Sequence, residues 1–179
     1  MPRLLAALSV VSVSCLVGCQ SAGVHHVHAT PEVSAESMAS LASLEGEWEM
    51  VQDDGTLGEG SVFAVTAGGS AVREIMFPGN EYEMTNLYHM DGDAIVCTHY
   101  CAAGNQPRMV AEGIEQTDTG PSMHFKVDSV SNFAEGQDHY MGWLRLTFVD
   151  ADTIRQDWVS FDENGNEANT MTFTMKRKS

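Results

Sequence analysis

Beyond Gly46, apolar residues recur at every second position through most of the chain, and turn-forming clusters interrupt the alternation at short intervals. Runs rich in Val, Ile, Thr, Tyr, Phe and Trp are separated by DDGTLGEG, TAGGS, PGNE, DGD, AAGNQP, TDTGP, AEGQD, DADT and ENGNE. Period-two runs bounded by Gly, Asn, Asp and Pro predict β-strands, here about ten of roughly eight to ten residues each. No helix-length pattern lies between them, so crossover connections and a parallel sheet are not expected. A meander this long leaves bare edges unless it closes on itself. The predicted fold is therefore all-β: a single antiparallel up-and-down barrel of about ten strands. One short helix precedes it. Met38, Leu41 and Leu44 fall at helical spacing between Glu32 and Leu44, with Ser34 placed to cap and Ser37 and Ser40 on the polar side.

The same alternation says what the barrel encloses. Leu144, Leu146 and Phe148 share one strand face, opposite His139, Met141, Trp143, Arg145 and Thr147; Met171, Phe173 and Met175 oppose Thr170, Thr172 and Thr174. A small barrel filled only by side chains should have a uniformly apolar inward face. Tyr82, Met84, Asn86 and Tyr88 form a half-polar face instead. That suits a lumen holding a ligand or water, unless these polar groups simply face solvent.

The first residues carry a different pattern. Met1-Pro2-Arg3 supplies one positive charge, and LLAALSVVSVSCLVG follows as an uncharged apolar run. The run falls short of the ~20 residues that span a bilayer and reads as the core of a secretory signal. Leu16-Val17-Gly18-Cys19 resembles the lipobox of bacterial lipoproteins. The resemblance implies cleavage before Cys19, diacylation of its sulfur and a further acyl chain on the new amino terminus, which together anchor a protein stably. Gln20 replaces the aspartate that retains many such proteins at the inner membrane, which points to the outer membrane. The expected organisation is a signal peptide at 1–18, a small polar tether at 19–31 (QSAGVHHVHATP) and a barrel domain at 32–179, exported, monomeric and held on the periplasmic side by lipid on Cys19.

Charge and cysteine count narrow the partners. The 179 residues carry 9 Lys and Arg against 25 Asp and Glu, a net charge of -16, which argues against nucleic acid and anionic headgroups as partners. With Cys15 in the signal and Cys19 lipidated, only Cys97 and Cys101 remain in the domain. Four residues apart in a straight strand means about 13 Å, beyond disulfide reach. They pair only if the strand curls near His99, and are otherwise free thiols. His25, His26 and His28 sit in the tether, without preorganised geometry for a metal.

Gly46-Glu47-Trp48, entering the first strand after a short helix, resembles the Gly-x-Trp signature that opens lipocalin-type (calycin) barrels. In that superfamily the Trp closes one end of the barrel and a basic residue near the last strand packs across it. The matching positions are Trp48 with Arg177 or Lys176, a pairing that cation–π attraction makes sensible. The strand count lies closer to the fatty-acid-binding-protein and nitrobindin branches. Gly-x-Trp, the Glu74 to Gly79 segment and THYCAAGNQPRM together also resemble uncharacterised secreted bacterial proteins with lipocalin-like folds, a likeness that brings no activity with it.

THYCAAGNQP, from Thr98 to Pro107, is the most chemically crowded stretch. Ile95, Cys97, His99 and Cys101 share one strand face. If that face is inward, His99 projects into the lumen and Cys101, Asn105, Gln106 and Arg108 gather at its mouth, with Tyr88, Trp143 and Trp158 as walls. Ligand sites have this composition, and an arginine there suits a carboxylate head group. The expected function is binding of a small, partly apolar, acidic molecule. Three alternatives use the same residues. A metal would take His99 and Cys101 with His89, His124 or His139 from another strand. By analogy with nitrobindin, His99 or His139 would hold haem. Cys101 would act as a nucleophile if a base lay within reach. The bland reading is a loop stapled by Asn105 and Gln106.

Overall fold

The structure, a computed structural model, describes residues 28–179. The signal segment, Cys19, His25 and His26 lie outside the described residues. Helix α1 (Pro31–Ala42) starts one residue before the expected position because Pro31 occupies the first turn, where a missing N–H breaks no bond. Ser34 is thereby drawn into the helix, its N–H donating to the Thr30 carbonyl at 3.0 Å, and it does not cap. Leu41 and Leu44 bury the inner side.

The strands are β1 (Gly46–Val51), β2 (Leu57–Thr66), β3 (Ala71–Met76), β4 (Met84–Asp91), β5 (Ala94–Tyr100), β6 (Gln106–Ala111), β7 (Ile114–Thr117), β8 (Gly120–Ser131), β9 (Tyr140–Asp150), β10 (Thr153–Phe161) and β11 (Glu167–Arg177). All pair antiparallel. Both β6 and β7 lie along β8, interrupted at Glu112-Gly113, so they are two halves of one strand and the eleven segments form a closed barrel of ten strands. Closure comes from β1 pairing with β11, where Trp48 stands opposite Arg177. The backbone of β1 shifts register between Trp48 and Met50. Gly60 of β2 makes that possible: a Cβ there would sit 2.3 Å from the Trp48 carbonyl oxygen.

The meander sorts its connections onto two ends. Helix α1 and the short turns after β2, β4, β7 and β9 occupy one, where the Thr30 N–H donates to the Asp93 carboxylate at 2.6 Å. The longer loops after β1, β3, β5, β8 and β10 occupy the other. The helix end is sealed. Trp48 is 3% exposed, its indole N–H donates to the Leu44 carbonyl at 2.8 Å, and its ring meets Phe63 edge-on at 6.4 Å. The Arg177 guanidinium lies 4.3 Å from the Trp48 ring centroid and donates to the Glu45 and Ser43 carbonyls at 2.9 and 2.8 Å. Lys176 stands beside Glu49 one position earlier.

Candidate functional site

Alternation sends Val72, Glu74 and Met76 of β3 inward, with Met84, Asn86 and Tyr88 of β4 and Ile95, Cys97 and His99 of β5. Register then aligns them into rows: Glu74 opposes Asn86, and Asn86 opposes His99. The result is a polar layer in an otherwise apolar core. One Glu74 carboxylate oxygen accepts from the Ser61 hydroxyl at 2.8 Å and, across the lumen, from the Gln156 amide of β10 at 2.9 Å. The other accepts from the Asn86 amide and the Tyr88 hydroxyl, both at 2.7 Å. Glu74, Asn86, Tyr88 and Gln156 are fully buried, and a buried carboxylate is tolerable only with such a set of donors.

The network fixes the state of His99. Carboxylate and thioether both require the Asn86 amide nitrogen as donor, since it also contacts the Met76 sulfur at 3.4 Å. The Asn86 oxygen is left facing His99 Nδ1 at 2.7 Å. An oxygen can only accept there, so Nδ1 carries the proton and Nε2 keeps a bare lone pair. That Nε2 is buried without a partner among the described residues. It sits at the far end of the ring from β5, and the ring lies 4.9 Å from Trp158, whose own N–H donates to Gln156 at 3.1 Å. Burial holds the His99 pKa down at about 4. Burial, with the Glu74 carboxylate adding to it, raises the Tyr88 phenol and the Cys97 thiol well above their ordinary values. Cys97 is thus a neutral thiol, not a nucleophile.

A pH dependence follows. Unfolded His99 takes up a proton near pH 6.5, while folded His99 does so only near pH 4. Between those values the unfolded state binds more protons, so stability falls as pH is lowered from 6.5 to 4, by about 3 kcal/mol from this group. Urea unfolding across that range should show the slope in wild type and lose this component in His99→Gln. An equal slope in both proteins would mean His99 is not buried as a neutral ring.

The residues singled out from the sequence separate into three places. Tyr88, His99 and Trp158 line the lumen together. Cys101, Asn105 and Gln106 lie at the loop-end rim. The Cys101 sulfur accepts the Ala103 N–H at 3.5 Å, the Asn105 amide donates to the His139 carbonyl at 2.8 Å, and the Gln106 amide to the Gly104 carbonyl at 3.0 Å. Arg108 and Trp143 stand on the outer wall and do not reach the lumen. Pro107, Met109 and Ala111 take the inward positions of β6, so parity turns Arg108 out, where it pairs with Asp91 at 2.5 Å and with Asp128. The Trp143 indole donates to Glu167 at 3.1 Å and packs edge-on against His124. His139 is 58% exposed and meets Glu163 at 3.2 Å. His89 bonds the Met90 carbonyl. Cys97 and Cys101 are both free. Arg108→Met should accordingly cost about 1 kcal/mol or less of unfolding free energy, as half-exposed ion pairs do. A loss above about 2 kcal/mol in denaturant titration would contradict its outward placement.

Above the polar layer, toward the loops, the inward side chains are apolar and only half buried: Met50, Phe77, Met84, Met141, Met171 and Phe173. A cleft of 480 Å³ opens beside Met50 and Phe77, between the β1–β2 and β3–β4 connections, its other lining residues being Gln52, Gly58, Glu59, Asn80 and Tyr82; no residue of the polar layer lines it. Phe77 packs edge-on against Phe173 at 5.7 Å, and Phe173 is the register partner of Gln156. Two aromatic rings therefore stand between the cleft and the polar layer.

Glu74, Gln156 and Ser61 were not singled out in the sequence. Glu74 opens a segment that reads as a turn because of Pro78-Gly79, yet Val72-Glu74-Met76 is itself a period-two signal with a charge on the apolar face. No protein-family model matches the chain, and no curated protein matches it significantly. The fold is a closed ten-stranded antiparallel barrel, compatible with the lipocalin-like architecture that Gly46-Glu47-Trp48 resembles.

Proposed function

We propose that this is an exported, lipid-anchored, monomeric barrel that binds a small, partly apolar molecule at the loop end of its lumen, with His99 meeting the ligand's polar group. One observation carries the reading: a histidine 1% exposed, held in one tautomer, with its lone pair unmatched. Buried polar atoms are nearly always paired, so an orphan invites a missing partner. The cleft supports it, since 480 Å³ falls within the range of small-molecule sites and its walls are mostly apolar with a few polar groups. Methionines at the lumen's mouth can re-pack around different shapes. Nile red, a neutral apolar dye, should bind saturably at one site per chain. Phe77→Asp, in the cleft wall, should weaken it; Arg108→Met should not, and neither should His99→Phe, since the dye has no N–H or O–H to offer the Nε2 lone pair. Absent or unsaturable binding would overturn the reading.

Anchoring rests on Leu16-Val17-Gly18-Cys19. Cys19→Ser should leave an unprocessed precursor or move the protein to soluble fractions; normal processing with membrane partition would sink it. A second reading puts a haem iron or metal ion on His99 Nε2, because ligating histidines anchor their other N–H as His99 does on Asn86. A free metal ion lacks a donor set, since among the described residues no three His, Cys, Asp or Glu side chains cluster, whereas a haem iron needs only the one histidine.

A further inference from the structure

Resting on the lumen-binding reading, we infer the chemical class of the ligand: its head group is a hydrogen-bond donor, an amine or alcohol on an apolar body, and not an acid.

The hydrogen-bond directions decide this. Four donors converge on Glu74, from Ser61, Gln156, Asn86 and Tyr88, so neither carboxylate oxygen needs a ligand. The Asn86 oxygen is taken by His99 Nδ1. What the layer offers is the His99 Nε2 lone pair, which a hydroxyl or amine N–H satisfies and a carboxylate cannot. Charge points the same way. The buried polar residues include one carboxylate, Glu74, and no lysine or arginine. Arg73, next to Glu74 in sequence, alternates outward and is exposed, and Arg108 is on the outer wall between Asp91 and Asp128. An acidic head group would face Glu74 with no counter-charge. A second negative charge in the same buried layer is repelled, which should weaken binding of an acid by at least about tenfold. An ammonium would gain from the same field. The other unpartnered ring nitrogen, His124 Nε2, belongs to a part-buried ring on the outer wall whose Nδ1 already accepts from Arg145, so that Nε2 is a donor and presents no lone pair.

The test displaces Nile red with three probes sharing one chain, dodecylamine, dodecanol and dodecanoate, below their micellar concentrations at neutral pH. The amine and the alcohol should displace the dye at concentrations at least tenfold lower than the acid. His99→Phe should weaken amine and alcohol alike while sparing the ring contact with Trp158. Glu74→Gln should improve the acid relative to the amine; should that variant fail to fold, His99→Phe still decides. Arg108→Met should leave the order unchanged. Tightest binding by dodecanoate, an order unaffected by His99→Phe, or no displacement by any probe from a barrel that does bind the dye would each overturn the assignment of class while leaving lumen binding intact. No dye binding at all would remove the reading on which it rests.

Discussion

Glu74→Ala should destabilise the protein by about 3–5 kcal/mol in urea or guanidinium unfolding. The carboxylate ties β3 to β2 through Ser61, to β4 through Asn86 and Tyr88, and across the lumen to β10 through Gln156. Truncation leaves four buried donors facing a void. Each orphaned group costs about 1–3 kcal/mol, but the costs do not add, because the Ser61 and Tyr88 hydroxyls can rotate toward other acceptors. A further part comes from the cavity itself. Glu74→Gln keeps the volume and one acceptor but turns an N–H2 group toward two donors, so its cost should be smaller, about 1–3 kcal/mol. A loss below about 1 kcal/mol in the alanine variant would mean the layer is not what sets the barrel's interior.

The second large effect belongs to the helix end. Trp48→Ala should cost about 3–5 kcal/mol, the range for deleting a fully packed aromatic side chain. The indole is 3% exposed, fills the space beneath Leu44 and Phe63, and presents its face to Arg177. Its removal also strands the Leu44 carbonyl. Loss of under about 1 kcal/mol would show that the ring does not seal the barrel.

Local pattern carried the fold. Period-two runs and Gly, Asn and Asp turns place strands one by one, and the cost of open edges closes them, so a ten-stranded meander with one helix was legible from residues alone. Parity within β5 likewise read correctly: Ile95, Cys97 and His99 are inward. What failed to transfer was parity across a loop. Cys101 to Asn105 turn the chain, and nothing in AAGNQP states which of Gln106 or Pro107 resumes the inward face; Pro107 does, and Arg108 goes out. A bulge had the same effect in β9. Ser160 opposes Met141 while Val159 opposes Trp143, so Met141 turns inward although strict alternation groups it with Trp143. The polar layer was hidden for a third reason: its members come from β2, β3, β4, β5 and β10, and only register brings Gln156 to Glu74, 82 positions away.

Native mass spectrometry of the protein purified from its own host will show whether the barrel retains a ligand. The wild-type mass should exceed that of the chain by one small organic molecule, released on mild activation and lost in His99→Phe but kept in Arg108→Met. A bare chain mass, or an added mass that proves to be haem or a metal ion, would contradict it.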